Sequence, residues 1–418
     1  MDSMKFKKLI IVGLTAMLIG GVAITSLATQ QVTTVEAQAK PKSDWLHTKG
    51  NKIVDGRNKT VRLTGLNWFG YETSANTFHG LWQVSMKKSV AAIANHGFNV
   101  IRVPMSVALV DNWRIGKASR DTPNINYAAN PELQGLNNQQ IFNTFLKYAK
   151  QNGVKVIIDI HSPSKDGYQS DTWYDDNYST TKWLNALSYL AKAYKKNDTV
   201  IGYDLKNEPH GQAKWDTSKA QNNWRYAATR GAKAVLKKNP HALVFIEGIE
   251  QYNGDYSWWG ANLQGVKKAP IKLAAKQQKQ VVYSSHDYGP IVYQQPWLQG
   301  NFKKSVKAYW NKNWLFIHKE KIAPIFIGEW GGYAKNHTGN NLKWLKYLRS
   351  EIKQDKLSFT YWCFNPDSGD TGGLVNDNWT TWNGSYKFVK SALWQTKQHK
   401  FIGLDGQVKL GTHGVERP

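Results

Sequence analysis

"VIGYDLKNEP", residues 200–209, decides the architecture. An apolar, β-favouring run stops on Asn207 and Glu208, and Pro209 ends the extension. The same design recurs in "LTGLNWFG" (63–70), "FNVIRVP" (98–104), "VKVIIDIH" (154–161), "ALVFIEG" (242–248), "VVYSSHDY" (281–288), "APIFIGEW" (323–330) and "SFTYWCFNP" (358–366). Such near-continuous apolar runs are the mark of strands covered on both faces. The stretches between them carry helical spacing. "IFNTFLKYAKQNG" puts Ile141, Phe142, Phe145, Leu146 and Ala149 on one face and stops at Gly153; "WLNALSYLAKAY" and "LKWLKYLRSEI" repeat the pattern. Eight strand–helix units predict an α/β fold, a (β/α)8 barrel. The hairpin-like "WLHTKGNKIVDGRNKTVRL" (45–63) is expected to cap its N-terminal end. The expected organisation is a signal peptide over 1–39, an N-terminal segment with the capping hairpin over 40–62, the barrel over 63–398 and a tail over 399–418. No second domain, linker or appended module is read.

In such a barrel the C-terminal ends of the strands form the mouth, so polar residues there have a reason that mid-helix ones lack. Asn67 and Trp68 end the first run, Arg102 the second, His161 the third, and Asn207 and Glu208 the fourth. His286 and Tyr288 end the sixth, Glu329 and Trp330 the seventh, and Trp362 the eighth. A surface glutamate after one strand is unremarkable. Two, ringed by Arg, His, Asn, Tyr and Trp, point to acetal hydrolysis, in which one carboxyl arrives protonated and the other ionised. Arg102 is expected to keep Glu329 charged, the His and Tyr side chains to fix geometry, and Asn207 to face the hydroxyl next to the reacting carbon.

Composition narrows the class. The start has Lys5, Lys7 and Lys8 before an apolar stretch from Leu9 to Ile24 and a small-x-small site at Ala37-Gln38-Ala39, which reads as a secretory signal cleaved after Ala39, with Met4 as the start. The expected product is secreted, with no stable membrane insertion, because the stretch falls short of the roughly 20 residues of a spanning helix. The lone Cys363 excludes an intrachain disulfide. Lys and Arg exceed Asp and Glu by 55 to 30, a formal charge of +25, yet the excess is spread out. That argues against a nucleic-acid groove and permits loose association with an anionic cell wall. Trp173, Trp215, Trp258, Trp259 and Trp379 lie beside Gly, Asn or Asp and are candidates for stacking on sugars or for core packing. No cofactor and no metal is expected, since no ligand cluster has metal spacing and no Gly-rich turn offers a phosphate cradle. A monomer is expected.

Arg102, His161, Asn207-Glu208-Pro209, His286-x-Tyr288, Gly328-Glu329-Trp330 and Trp362 together resemble glycoside hydrolase family 5. "GLNWFGYET", "HGLW", "NEPHG", "YNGDYSWWGANLQG", "HDY", "GEW" and "NPDSGDTGG" resemble its bacterial endo-β-1,4-glucanases more narrowly, over roughly residues 45 to 395. The resemblance implies a secreted enzyme of cellulose-type β-glucans on a TIM barrel. It implies a retaining mechanism with Glu208 as acid/base and Glu329 as nucleophile, their carboxyls ~5–5.5 Å apart. Arg102, His161, Asn207, His286, Tyr288, Trp362, Trp68 and Trp330 would bind substrate or support the pair, Trp362 as the floor under the sugar at the cleavage point. Phe364 stands where the resemblance would put a second Trp. The rivals are another β-glycan specificity on the same machinery (β-1,3-glucan, xyloglucan, mannan or exo-glucosidase action) and a wall protein that binds glycan without cleaving it.

Overall fold

The computed structural model describes residues 43–122, 124–334 and 338–418; the segment read as a signal peptide lies outside them. The strands are Leu46–Lys49 (β1), Lys52–Asp55 (β2), Thr64–Asn67 (β3), Val100–Ser106 (β4), Lys155–Ser162 (β5), Val200–Asp204 (β6), Leu243–Glu247 (β7), Gln251–Tyr252 (β8), Asp255–Tyr256 (β9), Val281–His286 (β10), Ile325–Glu329 (β11) and Ser358–Tyr361 (β12). The helices are Met86–Asn95 (α1), Val107–Arg114 (α2), Asn138–Gln151 (α3), Thr180–Ala193 (α4), Trp224–Lys238 (α5), Ala275–Gln278 (α6), Phe302–Trp310 (α7), Phe316–Lys319 (α8), Gly339–Gln354 (α9) and Gly384–Val389 (α10).

All eight apolar runs became strands of one closed parallel barrel, in the order β10-β11-β12-β3-β4-β5-β6-β7. The fold is a (β/α)8 barrel. Its helices form where the periodicity placed them. In α3, Asn137 and Gln140 cap each other's backbone reciprocally, and Ile141, Phe142, Phe145, Leu146 and Ala149 are buried. The helix stops at Gly153, whose φ of +68° suits glycine, and a Cβ there would lie 2.7 Å from the Lys409 carbonyl oxygen. That close approach ties the end of a barrel helix to the C-terminal segment.

Two apolar layers hold the barrel. One fills the space between strands and helices. The other is a smaller cluster at the bottom, where Leu63, Val100, Ile157, Ile201, Leu243, Phe245, Val282 and Phe326 meet Leu46 and Ile53 of the β1–β2 hairpin and Leu404 of the C-terminal segment. The hairpin therefore caps the bottom, as expected, and residues 399–418 join it there. Burying each of these side chains is worth about 1.5–3 kcal/mol.

Polar groups lock the same closure. Lys155, buried at the start of β5, is 2.7 Å from Asp44 and 2.8 Å from Asp405. Arg417 reaches Asp44 at 3.0 Å and Asp55 at 3.4 Å, and Arg57 joins Asp55 at 3.2 Å. Burial alone would raise the Asp405 carboxyl, but Lys155 and the backbone N–H groups of Gln407 and Val408 outweigh it and hold it down at about 2.

A folded-state value below the unfolded one means that Asp405 stabilises fully above about pH 4 and loses that contribution as pH falls toward about 2. Asp405→Asn should therefore lower the urea midpoint at pH 6, by an amount equivalent to about 1–3 kcal/mol, because Lys155 loses a charged partner. The variant and wild-type curves should converge as pH falls from 4 toward 2. A constant gap across that range would refute the electrostatic account.

Candidate active site

The mouth is organised around Arg102, which β4 carries into the barrel with no exposure to solvent. Its five N–H groups reach the ends of four strands. Nε donates to Asp204 at 3.0 Å. Nη1 donates to Asn67 at 3.1 Å and Glu329 at 2.8 Å. Nη2 donates to Asn207 at 3.0 Å and Glu247 at 3.3 Å, and stands 3.1 Å from Asp159. Parallel pairing makes this reach possible, since β3–β4 register sets Asn67 beside Arg102 and β5–β6 register sets Asp159 beside Asp204.

Glu208 follows β6 and is buried, so it is no surface charge. Its φ of +49° is unusual for a non-glycine residue, and the surroundings fix it. The Asn207 N–H donates to the Ile160 carbonyl at 2.9 Å, the Glu208 N–H to Glu247 Oε2 at 2.8 Å, and His210 Nδ1 lies 2.7 Å from the Glu208 carbonyl. Beneath them the buried Lys206 ammonium donates to the carbonyls of Asn207 and His161. The Glu208 carboxylate faces His286, with Nδ1 2.9 Å from Oε1.

Glu329 ends β11. Arg102 donates to its Oε1, the Tyr288 hydroxyl donates to its Oε2 at 2.7 Å, and His286 Nδ1 lies 3.6 Å from Oε2. One oxygen of Glu208, one of Glu329 and one His286 nitrogen all lie within 4.8 Å of one another.

The charges divide unequally. Burial opposes ionisation of Glu208, but His286, His161 and His210 overcome it and hold this carboxyl below its ordinary value. Glu329 goes the other way. Burial and the charge of Glu208 outweigh the pull of His286 and Arg102, so it titrates above an ordinary glutamate. Arg102 thus lowers Glu329 as expected but does not win, because the guanidinium is shared with Asp159, Asp204 and Glu247. Burial would lower His286, yet the carboxylates around it raise it well above its usual value. Asp204 is pushed well up by burial, against Arg102.

The strand-end residues singled out in the sequence separate into three groups, with Asn67 joining the first through Arg102. Arg102, Asn207, Glu208, His286, Tyr288 and Glu329 form one continuous network. His161 pairs with Asp159 at 2.6 Å and lies flat against Trp362, ring centroids 5.8 Å apart at 13°. Trp362 is half-buried, packs on Phe69 at 5.6 Å, and has its Nε1 tied to Ser368. Of the two roles expected for Trp68 and Trp330, binding substrate or supporting the site, their burial leaves the second. Both have no exposed surface, Trp68 stacking on Phe78 and Trp330 standing edge-on to Phe359 and Tyr361, so they support the site from the core. Of the five loop tryptophans, only Trp259 is exposed, stacked on His210 at 3.8 Å; the other four are core. Sequence reading passed over Asp159, Asp204, Lys206, Glu247 and the exposed Trp82. Glu247 carried a usable signal, because it ends the fifth run, "ALVFIEG".

Among the described residues, Asp204, Glu247 and His286 form one group with the spacing to hold a cation, and Glu208, His286 and Glu329 another. Asp204, Glu247 and Glu329 of these already face the Arg102 guanidinium.

Comparison with known proteins places the chain. The family model described as cellulase (glycosyl hydrolase family 5) matches residues 54–368. Endoglucanase G of Acetivibrio thermocellus is 44% identical over 89% of this chain and 75% of its own length. An endoglucanase of Paenibacillus polymyxa is 44% identical over 84% of this chain and 87% of its own. Among solved structures, an endocellulase from the archaeon Pyrococcus horikoshii superposes with a TM-score of 0.76 at 32% identity, covering 84% of this chain and 98% of that one. Its complexes with cellotetraose superpose equally well. The catalytic domain of the major endoglucanase from Xanthomonas campestris gives 0.77 at 32% identity, covering 83% and 99%. With the barrel, the strand-end carboxylates and the family match in agreement, this chain belongs to glycosyl hydrolase family 5.

Proposed function

We propose that the chain is a secreted endo-acting β-1,4-glucanase that cleaves cellulose-type glucans with retention, Glu208 acting as acid/base and Glu329 as nucleophile. The observation that carries the reading is the approach of the two carboxylates to within 4.8 Å through one oxygen each. An inverting site holds its carboxyls roughly 6.5–9.5 Å apart to admit a water between them. The endoglucanase relatives and the cellotetraose complexes of the archaeal endocellulase support the substrate class.

The chemistry follows from the partners. Arg102 and Tyr288 donate to opposite oxygens of Glu329 and aim it as a nucleophile. Glu208 gives its proton to the glycosidic oxygen while Glu329 bonds to the anomeric carbon. Water then loses a proton to Glu208 and displaces Glu329. Because His286 holds Glu208 ionised at rest, the working proton is stored on the His286–Glu208 pair and crosses their 2.9 Å contact. The half-buried face of Trp362 beside His161 offers a floor for the sugar. Secretion is supported by the basic head and small-x-small site before residue 40 and by the major extracellular endoglucanase of Xanthomonas campestris, 34% identical. Among the described residues no helix is long and apolar enough to cross a membrane. The charge of +25 supports loose association with an anionic wall.

Glu329→Gln should abolish turnover of every substrate. Glu208→Ala should lose about 10²–10⁴-fold on cello-oligosaccharides while sparing the first step on aryl cellobiosides with acidic phenols. Azide should restore its turnover and give a β-glycosyl azide; an α product would overturn retention. Since Glu329 must be ionised and titrates high, the acid limb of kcat/KM should fall above the ~4.3 of a free glutamate. A pH–rate profile with its acid limb at or below that value would contradict the proposal. Intact-mass analysis of secreted protein should find an N-terminus near Lys40.

A further inference from the structure

We infer that Glu247 is a positioning residue for the proton that Glu208 handles, acting through the imidazole of His286; the inference rests on the acid/base assignment of Glu208. Glu247 is the last residue of β7, has no exposed surface, and lies outside the residues that the sequence pointed to. It holds the acid/base limb in two ways. Its Oε2 accepts the Glu208 backbone N–H at 2.8 Å, which anchors the left-handed residue through its buried backbone donor. Its Oε1 lies 3.1 Å from His286 Nε2, an off-axis charge contact, while the opposite ring nitrogen faces Glu208 Oε1 at 2.9 Å. One imidazole therefore spans two carboxylates.

The arrangement decides which nitrogen exchanges its proton. The tautomer of a histidine is set by what its other nitrogen meets. An ionised carboxylate only accepts, so Glu247 keeps the proton on Nε2. Nδ1 is then left to exchange with Glu208. In one state Nδ1–H is bonded to a carboxylate. In the other the Nδ1–H bond has broken, an O–H bond has formed on Glu208, and the lone pair of Nδ1 accepts it. The shift cancels one positive and one negative charge, and the arriving proton is the one that departs with the leaving alkoxide. During deglycosylation the proton taken from water returns by the same path.

The surrounding charges fit a relay with little freedom. Around His286 stand Glu247 from β7, Glu329 from β11 at 3.6 Å, and Glu208 and Asp204 on the β6 limb, while Arg102 from β4, Lys206, and Asp159 and His161 from β5 act on those carboxylates. Arg102 also holds Glu247 Oε1 at 3.3 Å, which aims that carboxylate. Gly260 is needed alongside, because a Cβ there would lie 2.2 Å from Glu247 Oε2. No bulkier residue leaves room for the carboxylate in this pose.

Glu247→Gln tests the inference. The amide removes the anion that favours a proton on the His286–Glu208 pair, so the alkaline limb of kcat/KM should move to lower pH by about one unit. On a cello-oligosaccharide kcat should fall by about 10²-fold with KM little changed, and an aryl cellobioside with an acidic phenol should lose much less in its first step. Glu247→Asp, which keeps the charge, should bring the limb back toward wild type. An unmoved limb overturns the proposal, whether kcat is unchanged or falls equally on both substrates, since the latter is what loss of packing alone would do. Should the Gln variant not fold, ¹⁵N NMR of the imidazoles in the wild type decides, with His286 identified by its absence from His286→Asn. Nε2 must stay protonated across the titration while Nδ1 changes, and an unprotonated Nε2 refutes the relay. Glu208→Ala on the same oligosaccharide separates the premise from the inference. Full activity there removes the acid/base assignment, whereas a crippled Glu208→Ala beside an unmoved Glu247→Gln limb removes only the role of Glu247.

Discussion

A single guanidinium sets the terms for everything at the barrel mouth. Arg102 is buried among Asp159, Asp204, Glu247 and Glu329, and it also orients the amide oxygens of Asn67 and Asn207. Burying a cation among so many anions is tolerable only when geometry is good and each donor has a partner. Only arginine, with a rigid fork of five N–H groups and no accessible neutral form, meets that condition; lysine would leave several carboxylates unpaired. The strands of a parallel barrel deliver the partners to one level, which makes the site a consequence of register as much as of side-chain identity.

The two central glutamates differ because their neighbours differ. Glu329 sits at the end of a regular strand and is gripped by a cation and a phenol hydroxyl. Glu208 lies one step past the strand, in a left-handed conformation, and meets an imidazole instead. A guanidinium cannot give up its proton at any working pH, whereas an imidazole can. Under the proposed roles, the carboxylate that would cycle its proton is thus the one with a partner able to exchange.

Much of this was legible in the chain. The eight apolar runs and their helical spacers carry the barrel, because strands buried on both faces leave an unmistakable hydrophobic pattern. The meeting of Glu208 and Glu329 at the mouth was legible because the position of a polar residue at a strand's end is a topological fact that survives without coordinates. What stayed hidden depended on side-chain depth. Trp68 and Trp330 stand at strand ends like Trp362, yet they face the helix layer, and one residue of pleat separates a cleft wall from core. Asp159 and Asp204 lie within apolar strands and were not singled out; only the closed ring brings both to Arg102. The tail over 399–418 carries no long periodic element, so its role in closing the barrel bottom rests on long-range pairs such as Asp405 with Lys155 that no local pattern announces.

Closure of the barrel floor by both ends of the described chain has a geometric consequence for assembly. Asp44 and Arg417 are in contact there, and Arg57 donates to the Pro418 carbonyl at 2.6 Å, so entry and exit of the fold lie side by side on the face opposite the catalytic mouth. An extension engineered at either point would start from the rear. A tether at that point would present the cleft outward, toward a polymer in front of it, with the barrel itself as spacer. Ends this close also make the barrel a natural candidate for insertion into a host loop or for circular permutation, since a short linker would bridge them without crossing the mouth.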